Sequence, residues 1–90
     1  MSAVLSGAEK RALKSQAQLL EAIVRVGHAG VTDAVVSSLD AALQMHSLVK
    51  VRFSDFKEER RTLAPQLAER TGSILVQQVG NVAVFYCKKD

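Results

Sequence analysis

Two glycines three residues apart, Gly27 and Gly30, break the stretch Val24-Arg25-Val26-Gly27-His28-Ala29-Gly30-Val31-Thr32-Asp33. The residues before them are apolar and β-branched, and those after them open a helical pattern, so the pair marks a strand-to-helix corner. A corner of this kind turns the chain tightly, or it lets an anionic chain lie against backbone N–H groups with no Cβ in the way, beside a helix N-terminus that favours negative charge. Glycines at this spacing are common in turns, so the neighbours decide how much the pair means. Arg25 precedes it, Lys10, Arg11 and Lys14 line one helix flank, and Lys50 and Arg52 share one face of a strand. The ordinary role of such a flank is a solvated surface. Placed around a Gly-x-x-Gly loop, of the sort that clamps the nucleic-acid backbone in KH domains, the same charges become candidate phosphate contacts.

Other chemistries find less support. Cys87, His28 and His46 are the ingredients of a nucleophile-and-base site, but none lies in a local catalytic signature. No C-x₂-C or H-x₃-H spacing offers a metal site, and His46 reads as a helix-end residue. There is no G-x-G-x-x-G and no Gly-Lys-Ser or Gly-Lys-Thr for a nucleotide. No catalytic residue, metal, cofactor or small-molecule substrate is therefore expected. A sheet that stacks bases needs aromatic residues at set positions, and the chain has only Phe53, Phe56, Phe85 and Tyr86. Phe53 and Phe85 are expected in the core, and with no base-reading set visible, sequence specificity is expected to be low.

Size and composition bound the rest. Ninety residues fit one domain, expected over 1–90, with 48% hydrophobic and 23% charged residues as in ordinary globular chains. Twelve Lys and Arg against nine Asp and Glu leave a net charge of +3, a mild excess that suits a polyanionic partner. The lone Cys87 has no disulfide partner within the chain and reads as a small strand side chain suited to a reducing compartment. The first residues lack the pattern of a secretory signal, and the longest apolar run, Val82 to Cys87, is far short of the roughly 20 residues that span a bilayer. A soluble cytoplasmic protein with no membrane partner is expected.

The elements that hold these residues follow from periodicity. Ser6-Gly7-Ala8-Glu9 has the form of a capping box and predicts a first helix from about Gly7 to Leu20, with Leu13, Ala17 and Leu20 on its buried face. Ala22 to Val26 reads as a short strand. A second helix from Val31 to His46 carries Val31, Val35, Leu39 and Ala42 or Leu43 as its apolar stripe, with Thr32 or Asp33 at its start. Ser47 to Phe53 alternates as a strand. Lys57 to Thr71 is helical, closed by Gly72, and Pro65 within it predicts either a start near Pro65 or a kink. Ser73 to Val79 and Val82 to Lys88 form a hairpin across Gly80-Asn81. The order α-β-α-β-α-β-β makes one α/β domain, a four-stranded mixed sheet packed with helices.

Three segments together resemble a known family, the CRM domain, and within it the stand-alone bacterial YhbY-like proteins. They are the Leu5-Ser6 opening with Lys10-Arg11 and Leu13-Lys14, the Val26-Gly27-x-x-Gly30-Val31-Thr32-Asp33 corner, and His46-x-Leu48-Val49-Lys50-Val51. The resemblance covers nearly the whole chain. It implies a fold similar to the C-terminal domain of translation initiation factor three, RNA binding through the glycine loop and basic surface, and association with large-subunit rRNA or its precursor particle. His28 stands where the family loop usually carries a basic residue, and as an imidazole with an ordinary pKa of about 6.5 it is mostly neutral at pH 7. Ser47 stands where an acidic residue is common, and Pro65 is a further departure.

The resulting expectation is a non-enzymatic RNA-binding domain acting in assembly of the large ribosomal subunit. Gly27, His28, Ala29 and Gly30 form its loop, with Lys10, Arg11, Lys14, Arg25, Lys50 and Arg52 as phosphate contacts. The alternative is a protein-interaction adaptor that docks on a ribosomal protein or assembly factor.

Overall fold

The computed structural model describes residues 6–27, 30–54 and 60–87. Its elements are α1 (Gly7–Ala17), β1 (Val24–Val26), α2 (Asp33–Met45), β2 (Leu48–Phe53), α3 (Arg60–Thr71), β3 (Ile74–Val79) and β4 (Val82–Tyr86), in the order the sequence predicts. The strands form one mixed sheet in the order β1-β2-β4-β3, with β1 parallel to β2 and the other pairs antiparallel. Predicted positions Leu5, Phe56, Lys57 and Lys88 lie outside the described residues.

Helices cover both faces of the sheet. On one face Leu39 and Leu43 of α2 and Ala64 and Leu67 of α3 pack on Val24, Val26, Val49, Val51, Phe53, Ala83 and Phe85. Phe53 and Phe85 are fully buried there, as expected of them. On the other face α1 sets Ala17 against Val76 and Val84, flanked by Leu13, Leu48, Ile74 and Tyr86. The central strand β4 is thus buried on both sides, which is why it reads as a continuous apolar run rather than an alternation.

Local chemistry explains most boundaries. The capping box forms as predicted: Ser6 Oγ accepts the Glu9 N–H at 3.1 Å and Glu9 Oε1 accepts the Ser6 N–H at 3.2 Å. Thr32 caps α2, its Oγ1 accepting the Val35 N–H at 3.2 Å. Gly72, at φ 66, closes α3 in a Schellman arrangement, with Ser73 N–H donating to Ala68 O at 2.9 Å and Gly72 N–H to Glu69 O at 3.3 Å. Gly80, at φ 57, turns the hairpin.

Three expectations need correction. α1 ends at Ala17 rather than Leu20, because Leu19 and Leu20 donate to carbonyls only three residues back, at 3.1 Å each. That tightening takes Leu20 off the helix face and leaves it exposed. β1 is shorter than Ala22–Val26, with Ile23 57% exposed ahead of it. α3 does not begin at Pro65. Among the described residues it runs from Arg60 through the proline, whose ring is exposed and whose missing N–H removes one intrahelical hydrogen bond.

Candidate nucleic-acid interface

Alternation along β2 sends Val49, Val51 and Phe53 into the main core and puts Leu48, Lys50 and Arg52 on the face that carries α1. The parallel register then sets Arg25 of β1 directly beside Arg52, both exposed. Neighbouring strands lie about 4.8 Å apart, and like charges at that spacing work against the sheet. Among the described residues no carboxylate pairs with either arginine; the ion pair present is Arg70–Asp33. With Lys50, Asn81 and Val82 the two arginines line an open hollow of about 370 Å³, in which Glu21 is the acidic member.

Lys50 has a second role that its type and position did not reveal. Its Nζ donates to the carbonyl oxygens of Ala17 at 3.4 Å and Leu20 at 3.3 Å, at the end of α1 where the helix dipole favours a cation. Lys50 therefore ties α1 to the sheet while adding positive charge to the hollow.

The flank of α1 carries Lys10, Arg11 and Lys14, all exposed. Lys10 and Lys14 are four residues apart and stack one turn above another. Lys14 and Gln18 continue that row to the rim of a second hollow, about 260 Å³, between α1 and the sheet.

The glycine corner combines the two uses that its sequence allows. Gly30 N–H donates to Gly27 O at 3.0 Å, closing a tight turn, and Gly30 is buried at φ 76, where a side chain is strained. That N–H is committed to the turn. Gly27 differs: a Cβ built on it meets nothing within 4 Å, so nothing in the described fold requires glycine there. His28 and Ala29 lie outside the described residues. The corner is joined to the arginine pair at the same end of the sheet, where Val26 O accepts the Ser54 N–H at 2.9 Å and Asn81 O accepts the Phe53 N–H at 2.7 Å. The helix that follows opens with Asp33, whose carboxylate meets Arg70 at 2.7 Å.

The residues of the rival chemistries are spread apart in role. Cys87 packs beside the main core, and His46 is the extended cap at the end of α2. Among the described residues no three His, Cys, Asp or Glu gather as a metal site. No helix among them is long and apolar enough to cross a membrane. What sequence reasoning missed is Gln77 and Asn81, which reach this face through a strand bulge and a hairpin; no local pattern signals either.

Comparison with known proteins bears on the fold and the family. The CRS1 / YhbY (CRM) domain matches residues 5–86. The chain is 36% identical over 84 residues to "Probable RNA-binding protein YqeI" of Bacillus subtilis, covering 92% of this chain and 88% of that one. It is 33% identical over 85 residues to "Probable RNA-binding protein PA4753" of Pseudomonas aeruginosa, covering 93% and 82%. The solution structure of the hypothetical protein SAV1595 from Staphylococcus aureus superposes with a TM-score of 0.83 at 31% identity, covering 97% of this chain and 92% of that one. The chain, with its three helices, its β1-β2-β4-β3 sheet and its Gly27–Gly30 corner, belongs to the CRS1 / YhbY (CRM) domain family.

Proposed function

We propose that this chain binds RNA through the α1 face of its sheet and the adjoining glycine corner, and acts in assembly of the large ribosomal subunit. The observation that carries the reading is the Arg25–Arg52 pair, two exposed cations held side by side with no carboxylate partner among the described residues. An isolated chain gains nothing from that arrangement, whereas a phosphate between the two relieves their repulsion and accepts hydrogen bonds from both. Lys10, Arg11 and Lys14 extend the positive track along α1, and Lys50 holds α1 against it. Gly27 leaves room for a backbone strand to approach. The activity is binding rather than catalysis. Relatives named as RNA-binding proteins over more than nine-tenths of this chain support the same partner.

Ultraviolet crosslinking in cell extract, followed by sequencing of the attached RNA, tests the reading. Large-subunit precursor rRNA is the expected product, and it disappears for the Arg25→Ala, Arg52→Ala double variant. One observation favours a second reading, docking on a ribosomal protein or assembly factor. Leu19 is 88% exposed and lines an apolar hollow with Leu20, Ile23 and Leu48. A partner that stays bound after nuclease and high salt selects that alternative.

A further inference from the structure

The hollow between α1 and the sheet differs in character from the arginine hollow beside it. Its apolar lining is Ala17, Val79, Val82 and Val84, and its polar lining is Lys14, Gln18, Lys50 and Gln77. At about 260 Å³ it lies just below the range of about 300–1000 Å³ that suits drug-sized ligands, which leaves room for one flat heterocycle. The two hollows adjoin, with Lys50 and Val82 lining both.

Gln77 reaches this face because β3 is irregular. Leu75 pairs with Phe85 and packs on the main core, and Val76 points to α1 as alternation requires. The register then slips between Leu75 and Gln77, so that Gln77 pairs with Val84 and also lies on the α1 side. Without the bulge its amide would point toward the opposite face. Among the described residues none hydrogen-bonds the side-chain amide of Gln77 or of Gln18. Each amide offers a donor and an acceptor, the pairing that reads the edge of a base.

We propose that this hollow seats one unstacked base of a single-stranded RNA whose phosphates run over Arg25 and Arg52, with Gln18 and Gln77 reading the base edge. The proposal rests on the RNA-binding reading above and adds to it a base preference that the sequence did not suggest. Charge selects the occupant: the valine-lined hollow carries Lys14 and Lys50 and adjoins the hollow of the arginine pair, so a flat group attached to an anionic chain fits it, and an apolar peptide leaves Lys14, Arg25 and Arg52 unanswered.

Binding of short single-stranded homopolymers of uridine, cytidine and adenosine, measured by fluorescence anisotropy, tests it. The unaltered protein is expected to prefer one of them by about tenfold. Gln18→Leu with Gln77→Leu removes that preference while leaving the weaker affinities and their salt dependence unchanged. Arg25→Ala with Arg52→Ala weakens all three alike and keeps the ranking. In the unaltered protein the side-chain amide resonances of Gln18 and Gln77 shift on titration with the preferred strand, a readout that does not depend on any variant folding. Equal affinities in the unaltered protein, a ranking that survives the double glutamine change, or unmoved amide resonances overturn the base site and leave the RNA-binding reading standing. Failure to bind any of the three at low salt overturns both.

Discussion

Lys50 of β2 donates from its Nζ to the carbonyl oxygen of Leu20, 3.3 Å away, and so closes the end of a helix that lies thirty residues earlier in the chain. The same ammonium reaches Ala17 O at 3.4 Å. Lys50→Met keeps most of the aliphatic stem and removes both bonds. Urea unfolding is expected to show a loss of about 1 kcal/mol, the net worth of an ordinary hydrogen bond, because these two are long and partly exposed. RNA affinity falls as well, through a looser α1 as much as through the missing charge. A variant as stable as the parent would show that α1 is held by its apolar contacts alone.

The arginine pair makes the opposite prediction for stability. Removing Arg25 and Arg52 together relieves a like-charge contact, so the thermal midpoint is expected to stay level or rise slightly. The slope of log affinity against log salt loses about 0.7 for each phosphate contact to a single strand, hence about 1.4 for the two. A stable double variant with an unchanged slope would take this pair out of the interface.

Much of this architecture is legible in the sequence because it is local. Ser6 and Glu9, Gly72 and Gly80-Asn81 act within a few residues of themselves, and each marks its boundary where pattern reading puts it, while Thr32 proves to be the cap of a helix that opens at Asp33 rather than Val31. The alternation of Leu48 to Phe53 likewise separates the face of the main core from the face that carries α1. What sequence reading cannot reach is set by register. The end of α1 depends on hydrogen bonds three residues back and on Lys50 from a distant strand. The pairing of Arg25 with Arg52 depends on how two strands slide past each other, and the direction of Gln77 on one extra residue in β3. The basic residues of the candidate site are visible in the sequence as types; their juxtaposition is not.

The two glycines of the corner separate by experiment. Gly30→Ala forces a side chain into a backbone at φ 76 and is expected to destabilise by about 1–3 kcal/mol. Gly27→Ala adds a methyl into open space and is expected to change stability by less than about 0.5 kcal/mol. If an RNA backbone passes over the corner, Gly27→Ala weakens binding several-fold with the thermal midpoint unmoved. Unchanged binding by a folded Gly27→Ala variant reduces the corner to a turn.

Asp33 supplies the sharpest test of whether a phosphate sits at the start of α2. It occupies the first turn of that helix, next to the corner, and its side chain is 97% exposed while paired with Arg70. A carboxylate there suits the helix dipole, yet it also repels any anion brought to the same N-terminus. Asp33→Asn keeps the Thr32 cap, removes the repulsion and releases Arg70. Stability is expected to change little, because an ion pair this exposed contributes little. RNA affinity is expected to rise several-fold at low salt, and the gain should shrink as salt increases, since the Debye length falls from about 30 Å at 0.01 M to about 3 Å at 1 M. A phosphate track confined to Arg25 and Arg52 instead leaves Asp33→Asn indistinguishable from the parent at every salt concentration, and that result would remove the helix N-terminus from the interface.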